Sequence, residues 1–239
     1  MSEQSVVVHQ SAEILAAATA ARLITTLTDL QATRHVVAIG LTGGRTGIEV
    51  LNQVNKSPAR DAVDWSAVEI YWGDERFLPA GDPERNETQA RTVLLDHVPV
   101  PESRIHAIPP SDGDFGDDPD AAAKAYAELM TGVALDVLLV GVGEEGHTLS
   151  VFPDSPAVRE GRATVIAVRD CPKPPPTRVS LTLPAARRAS QVWLVTAGES
   201  KAEAVTAALS DASETDIPAA GATGRDITLW LVDRAAAGR

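Results

Sequence analysis

Cysteine, aromatic residues and basic charge are all scarce in this chain, and each scarcity closes off a class of protein. Of 239 residues only Cys171 is a cysteine, so neither an intrachain disulfide nor a cysteine-built zinc site can form, and a reducing compartment fits. Aromatics make up 4% of a chain that is 44% hydrophobic, so Ala, Val, Leu and Ile must build the interior, which favours helices packed on a sheet. Lys and Arg number 21 against 33 Asp and Glu, and a net charge of −12 gives no basic footprint for nucleic acid. An anionic small molecule would need cations gathered locally. No apolar run approaches the roughly 20 residues that span a bilayer. The start, MSEQSVVVHQSAE, has no basic segment followed by an apolar one, so a cytoplasmic protein without membrane partners is expected.

What is present is an alternation. A strand over residues 6–9 leads to a helix capped by Ser11, with Ile14, Ala17, Ala21, Ile24 and Leu27 at three- and four-residue spacing. HVVAIGLTGG reads as a buried strand ending in a glycine turn, and TGIEVLNQVN as the helix behind it. VEIYW is the next strand, GDERFLPAGDPER a long polar loop, and NETQARTVLLDHV a helix with Asn86 as its cap. RIHAI is a short strand, SDGDFGDDPD a solvated acidic connector, and AAAKAYAELM a helix. LDVLLV, ATVIAV, RVSLTL, QVWLVT and DITLWLV follow as strands, with ESKAEAVTAALS as a helix. The pattern predicts an α/β fold of the Rossmann-like kind, with a mostly parallel sheet covered by helices on both faces, forming one domain over residues 1–239. Ligands then belong at the carboxyl ends of the strands.

Four segments offer chemistry at strand ends. In LTGGRTG (41–47), glycines let a ligand approach backbone N–H groups at a helix start, which suits phosphate or carboxylate; the plain alternative is a tight connection. In GDERF (73–77), Asp74 and Arg76 point to one side of an extended segment and could orient one another, or form only an exposed ion pair. GVGEEGHTLSVFPDS (141–155) sets His147 beside Glu144 and Glu145, whereas His9, His35, His97 and His106 sit at element edges without such neighbours. Imidazole is the side chain best suited to exchanging protons near neutral pH. In PKPPPTR (172–178), prolines restrain the backbone between Lys173 and Arg178, supplying the local cation cluster that the acidic background demands. Cys171 reads as a small buried residue, Ser150 lacks the G-x-S-x-G elbow of serine hydrolases, and no His/Asp/Glu set has metal-ligand spacing.

Taken together, LTGGRT, YWGDERFLP, GVGEEGHTLSVFP, CPKPPPTRVSLTLP and WLVDRAA resemble the 6-phosphogluconolactonase family in order and spacing along almost the whole chain. The resemblance implies a cytoplasmic enzyme of the oxidative pentose phosphate pathway, without a cofactor, on a fold related to glucosamine-6-phosphate deaminases. It places the catalytic histidine at His147, the loop aspartate and arginine at Asp74 and Arg76, the glycine turn at Gly43 and Gly44, and phosphate ligands at Lys173 and Arg178. Two positions depart from the family pattern: Glu145 stands where Asp is usual before Gly-His, and Arg45 where a small hydroxyl residue usually follows the glycines. Arg45 could add to a phosphate grip. A hexosamine-6-phosphate deaminase or isomerase is a neighbouring reading, but its histidine motif resembles Asp-Gly-His-Ile-Ala-Phe-Asn-Glu-Pro, and EGHTLSVFPDS has no Asn-Glu-Pro ending. A sugar-phosphate sensor that binds without turnover is the third.

Overall fold

A computed structural model describes residues 3–210 and 212–239. Nine strands are described, β1 (Glu3–His9), β2 (Val37–Leu41), β3 (Val68–Trp72), β4 (Asp74–Arg76), β5 (Val137–Val140), β6 (Val165–Val168), β7 (Arg178–Leu181), β8 (Gln191–Thr196) and β9 (Ile227–Asp233). Six α-helices are described with them: α1 (Ala12–Gln31), α2 (Gly44–Lys56), α3 (Asn86–Val93), α4 (Pro119–Leu129), α5 (Leu183–Ala186) and α6 (Ala202–Ala208). The main sheet is parallel, in the order β1-β9-β8-β5-β2-β3.

Its central strands are continuous apolar runs because both faces are covered. Val137–Val140 is buried throughout, and the few aromatics are concentrated here: Trp72, Trp193 and Trp230 are fully buried on β3, β8 and β9. Burying a large apolar side chain contributes about 1.5–3 kcal/mol, so three tryptophans on three strands stabilise the sheet out of proportion to their number. The chain advances one way through β1, β2 and β3 and returns through β5, β8 and β9. Right-handed crossovers therefore place α1 and α2, which pack on each other, on one face, and the returning connections on the other. The direction reverses between the neighbours β2 and β5, making their carboxyl ends the switch point.

A second, antiparallel sheet of order β4-β7-β6 departs from the purely alternating pattern. The segment read as a polar loop contains β4, which leaves the main sheet at Gly73: its N–H donates to Leu41 O at 3.0 Å and its carbonyl accepts from Leu181 N at 2.8 Å. A Cβ at Gly73 would stand 2.6 Å from Leu149 Cδ2, so the corner has no room for a side chain.

Three local expectations need correction. Ser11 does cap α1, accepting from Ile14 N at 3.3 Å, but Ile14, Ala17 and Ala21 face solvent. The buried stripe is Leu15, Ala16, Thr19, Ala20, Leu23, Ile24 and Leu27, and a run such as AAATAA carries too little contrast to phase it. Asn86 is the first residue of α3 rather than its cap, its side chain being turned to donate to Asp74 O at 2.8 Å. RIHAI makes no strand; Ile105 forms only an isolated bridge to Ile70.

Candidate active site

The loops that follow β2, β5 and β8, together with the end of β9, meet in a cleft of about 780 Å³ at the switch point. On the β2 side, Gly44 has φ +76°, a conformation that glycine adopts without a Cβ clash, and Gly43 caps α2 without offering a side chain. The first N–H groups of α2 have no partner within the helix and open on the cleft, an arrangement suited to an anion. Beneath Gly43 lies the buried Asn86: a Cβ there would stand 1.8 Å from Asn86 Oδ1.

The β5 side carries the imidazole. A tight loop, with Gly143 N donating to His147 O at 2.8 Å and Gly146 at φ +87°, turns His147 into the cleft. His147 Nδ1 lies 2.9 Å from Glu145 Oε1, and Lys173 Nζ donates to Glu145 Oε2 at 2.8 Å. A carboxylate only accepts, so the network assigns a ring proton to Nδ1, and in the neutral imidazole the lone pair is then on Nε2. Burial works to raise the Glu145 carboxyl, but the hydrogen bonds from His147 and Lys173 outweigh it and hold the group well below the usual carboxylate range. The ring stacks on Phe152 with centroids 4.4 Å apart, and Arg178 Cζ sits 5.9 Å from the same phenyl centroid. Glu145 thus reaches the imidazole despite its extra methylene, standing behind the cleft rather than lining it.

The small antiparallel sheet supplies the opposite wall. Alternation along β4 puts Asp74 and Arg76 in the cleft and Glu75 behind it. The expected mutual orientation is not formed: Asp74 Oδ2 accepts from Ser150 Oγ at 2.7 Å, while Arg76 Nη1 donates to the Glu84 carbonyl. Each found a closer partner once Ser150 and the 79–85 turn folded against the strand. Glu75 accepts from the N–H groups of Arg76, Asn86 and Glu87 at 2.8, 2.6 and 2.8 Å, pinning β4 to the start of α3. Burial pushes its carboxyl up to about 7, against the opposing pull of Arg85, 3.9 Å away, and of those three donors. Arg178 opens β7, where it is the register partner of Arg76, and donates to the carbonyls of Lys173 at 3.1 Å and of Pro174 and Pro175 at 3.3 Å.

Gly43, Gly44, Arg45, Asp74, Arg76, His147, Lys173 and Arg178 therefore share one cavity, with Glu145 in contact with two of them. Among the described residues, Arg45, Arg76 and Arg178 form no ion pair with a carboxylate, so three guanidinium groups face the cleft without a paired acid. Cys171 is buried beside this wall; burial pushes its thiol up, with Arg178 acting the other way. His106 does have a carboxylate neighbour, Glu69 at 2.6 Å, and stacks on Tyr71, but it lies outside the cleft. Among the described residues no group of three or more His, Cys, Asp or Glu could hold a metal ion, and no helix is long and apolar enough to cross a membrane.

Sequence reasoning missed Asn86, Thr42, Ser200 and Lys201, all of which line the cleft. Lys201 follows Gly198 at the end of β8, and Ser200 Oγ and Lys201 Nζ approach Glu144 Oε1 at 3.0 and 3.5 Å. The signal was available: TAGESK repeats the strand, glycine, helix order of LTGGRT. Asn86 carried no such signal, because its importance comes from lying under Gly43.

A doubly wound sheet whose switch-point cleft joins an imidazole–carboxylate pair to guanidinium groups without a paired acid defines an α/β protein with a polar, cation-rich ligand cleft. The chain belongs to the family described as glucosamine-6-phosphate isomerases/6-phosphogluconolactonase, whose model matches residues 10–230. It is 54% identical to a 6-phosphogluconolactonase from Streptomyces coelicolor, over 97% of this chain and 92% of that one. It is 46% identical to one from Mycobacterium tuberculosis, over 98% of each. A solved 6-phosphogluconolactonase from Trypanosoma brucei, 24% identical, shares the fold with a TM-score of 0.86 over 100% of this chain and 99% of that one.

Proposed function

We propose that this chain, acting as one domain over residues 1–239, hydrolyses 6-phospho-D-glucono-1,5-lactone to 6-phospho-D-gluconate in the cytoplasmic oxidative pentose phosphate pathway. The observation that carries the reading is the meeting of the His147–Glu145 pair with Arg45 and Arg178 in a single cleft. The relatives at 46–54% identity bear the name of this activity.

In the proposed reaction, His147 Nε2 takes a proton from water as the water oxygen bonds to the lactone carbonyl carbon. Glu145 keeps the ring in the required tautomer and balances the imidazolium that forms. The carbonyl electron pair moves onto its oxygen, and Arg76 offsets the charge that forms there. When that pair returns, the bond from carbon to ring oxygen breaks and the imidazolium protonates the departing oxygen, which restores the base. Arg178, Arg45 and the amides around Gly43 and Gly44 hold the phosphate, with Lys201 adding charge from the β8 side. The resemblance gives Lys173 to the phosphate as well, although its ammonium is already engaged by Glu145.

The test is acid release from freshly generated lactone, measured against the spontaneous rate. His147→Ala lowers kcat by about 100-fold or more if the imidazole is the base. A folded variant with near-normal turnover rules that role out, and ammonia release from glucosamine 6-phosphate would move the chain to the isomerase branch. Binding of 6-phosphogluconate without acceleration of hydrolysis would make it a sensor.

A further inference from the structure

Lys173 is the residue whose surroundings do not match a simple phosphate contact. Its Nζ donates to Glu145 Oε2 at 2.8 Å while the other carboxylate oxygen holds His147 Nδ1 at 2.9 Å, so one carboxylate is shared between an ammonium and an imidazole. Glutamate has three rotatable side-chain bonds, and Glu145 is about a third exposed, so packing alone leaves its carboxylate free to swing. Fixing both oxygens leaves one orientation. The Lys173 carbonyl accepts from Arg178 Nη2 at 3.1 Å, tying that backbone to Arg178.

We infer that Lys173 is a positioning residue: its ammonium holds the Glu145 carboxylate where that carboxylate orients His147, so the proline-rich loop sets the imidazole as well as supporting Arg178. The inference rests on the reading of His147 as the base. An outer partner that orients a reacting group through another side chain changes turnover more than binding, whereas a phosphate ligand changes binding. The two roles therefore separate in kinetics. Lys173 lies on an exposed loop and its side chain is 40% accessible, so its replacement leaves the core untouched.

The experiment is a double-mutant cycle on the full chain, with kcat and KM measured on freshly generated lactone for the wild type, Lys173→Met, Glu145→Gln and the double variant. Lys173→Met should lower kcat about 10-fold with KM within about twofold, in the range found for outer-shell partners. In the Glu145→Gln background the same change should cost less than about twofold, because its target is already gone. Lys173→Arg should recover turnover. A nitrogen-15 spectrum of the His147 ring supplies a readout independent of catalysis: the Nδ1–H tautomer should lose its dominance in Lys173→Met. A KM rise with kcat preserved, losses that multiply in the double variant, or an unchanged ring spectrum would each overturn the inference. Should His147→Ala keep full turnover, the reading of the base fails instead; an inactive His147→Ala beside a silent Lys173→Met removes only the role of Lys173.

Discussion

Gly143→Ala tests whether the imidazole must stay where the loop puts it. A Cβ at Gly143 would stand 2.0 Å from His147 Nδ1 and 2.2 Å from Cε1. Ordinary contact begins near 3.4 Å, so the ring must retreat by about 1.4 Å. Retreat is limited on its stacked side, where Phe152 lies with its centroid 4.4 Å away. The 2.9 Å contact to Glu145 cannot survive such a shift, and losing a hydrogen bond to a charged group costs about 1.5–3 kcal/mol. A displacement of about 1 Å near reacting atoms can cost 100-fold, so kcat for lactone hydrolysis should fall by about two orders of magnitude. Because the backbone at Gly143 is not among those with positive φ, alanine adds no conformational strain of its own, and the melting temperature should fall only by what the lost hydrogen bond accounts for, about 2–4 °C per kcal/mol. Arg178 and the α2 amides are untouched, so KM should hold. A well-folded Gly143→Ala enzyme with kcat within about threefold of wild type would refute the idea that ring placement limits the reaction.

Three further outcomes follow from the same coordinates. Arg178→Ala should raise KM well above any change in kcat, since this guanidinium faces the cleft without a carboxylate partner; an unchanged KM would remove it from the phosphate grip. The carboxyl of Glu145 is depressed in the folded state, so its contribution is present above its unfolded value near 4.5 and is lost as pH falls below that. The urea-midpoint gap between wild type and Glu145→Gln should accordingly be about 1 kcal/mol at neutral pH, discounted for exposure, and should shrink on acidification; a gap constant from pH 7 to pH 3 contradicts this. Tyr126 is buried and its hydroxyl both accepts from Trp72 N at 2.9 Å and donates to Trp72 O at 3.1 Å. Tyr126→Phe strands two buried backbone groups, so a loss of about 2 kcal/mol and a Tm lower by about 4–8 °C are expected by calorimetry.

The sheet was legible in the sequence because its central strands are bounded apolar runs, and VLLV or LWLV can hardly be anything else between glycine turns. α1 was legible in extent but not in phase, since alanine is equally at home on either face. β4 was hidden because DER has no apolar residue: its burial comes from Glu75 reaching back to α3 and from pairing with β7, contacts more than ten residues away in sequence. At the site, His147, Arg178 and the glycines lie at strand ends, where fold grammar alone directs attention. Asn86 and the Lys173–Glu145 contact depend on loops meeting in space, and nothing in local spacing encodes that meeting.

The register that sets Arg76 opposite Arg178 has a thermodynamic side. Arg76 and Arg178 carry like charges on neighbouring strands, and among the described residues neither is ion-paired with a carboxylate, so the two disfavour one another across this register. A doubly charged guest relieves both groups at once and draws part of its affinity from that relief. Polyanionic buffers should therefore toughen the protein against heat even when no ester is being cleaved.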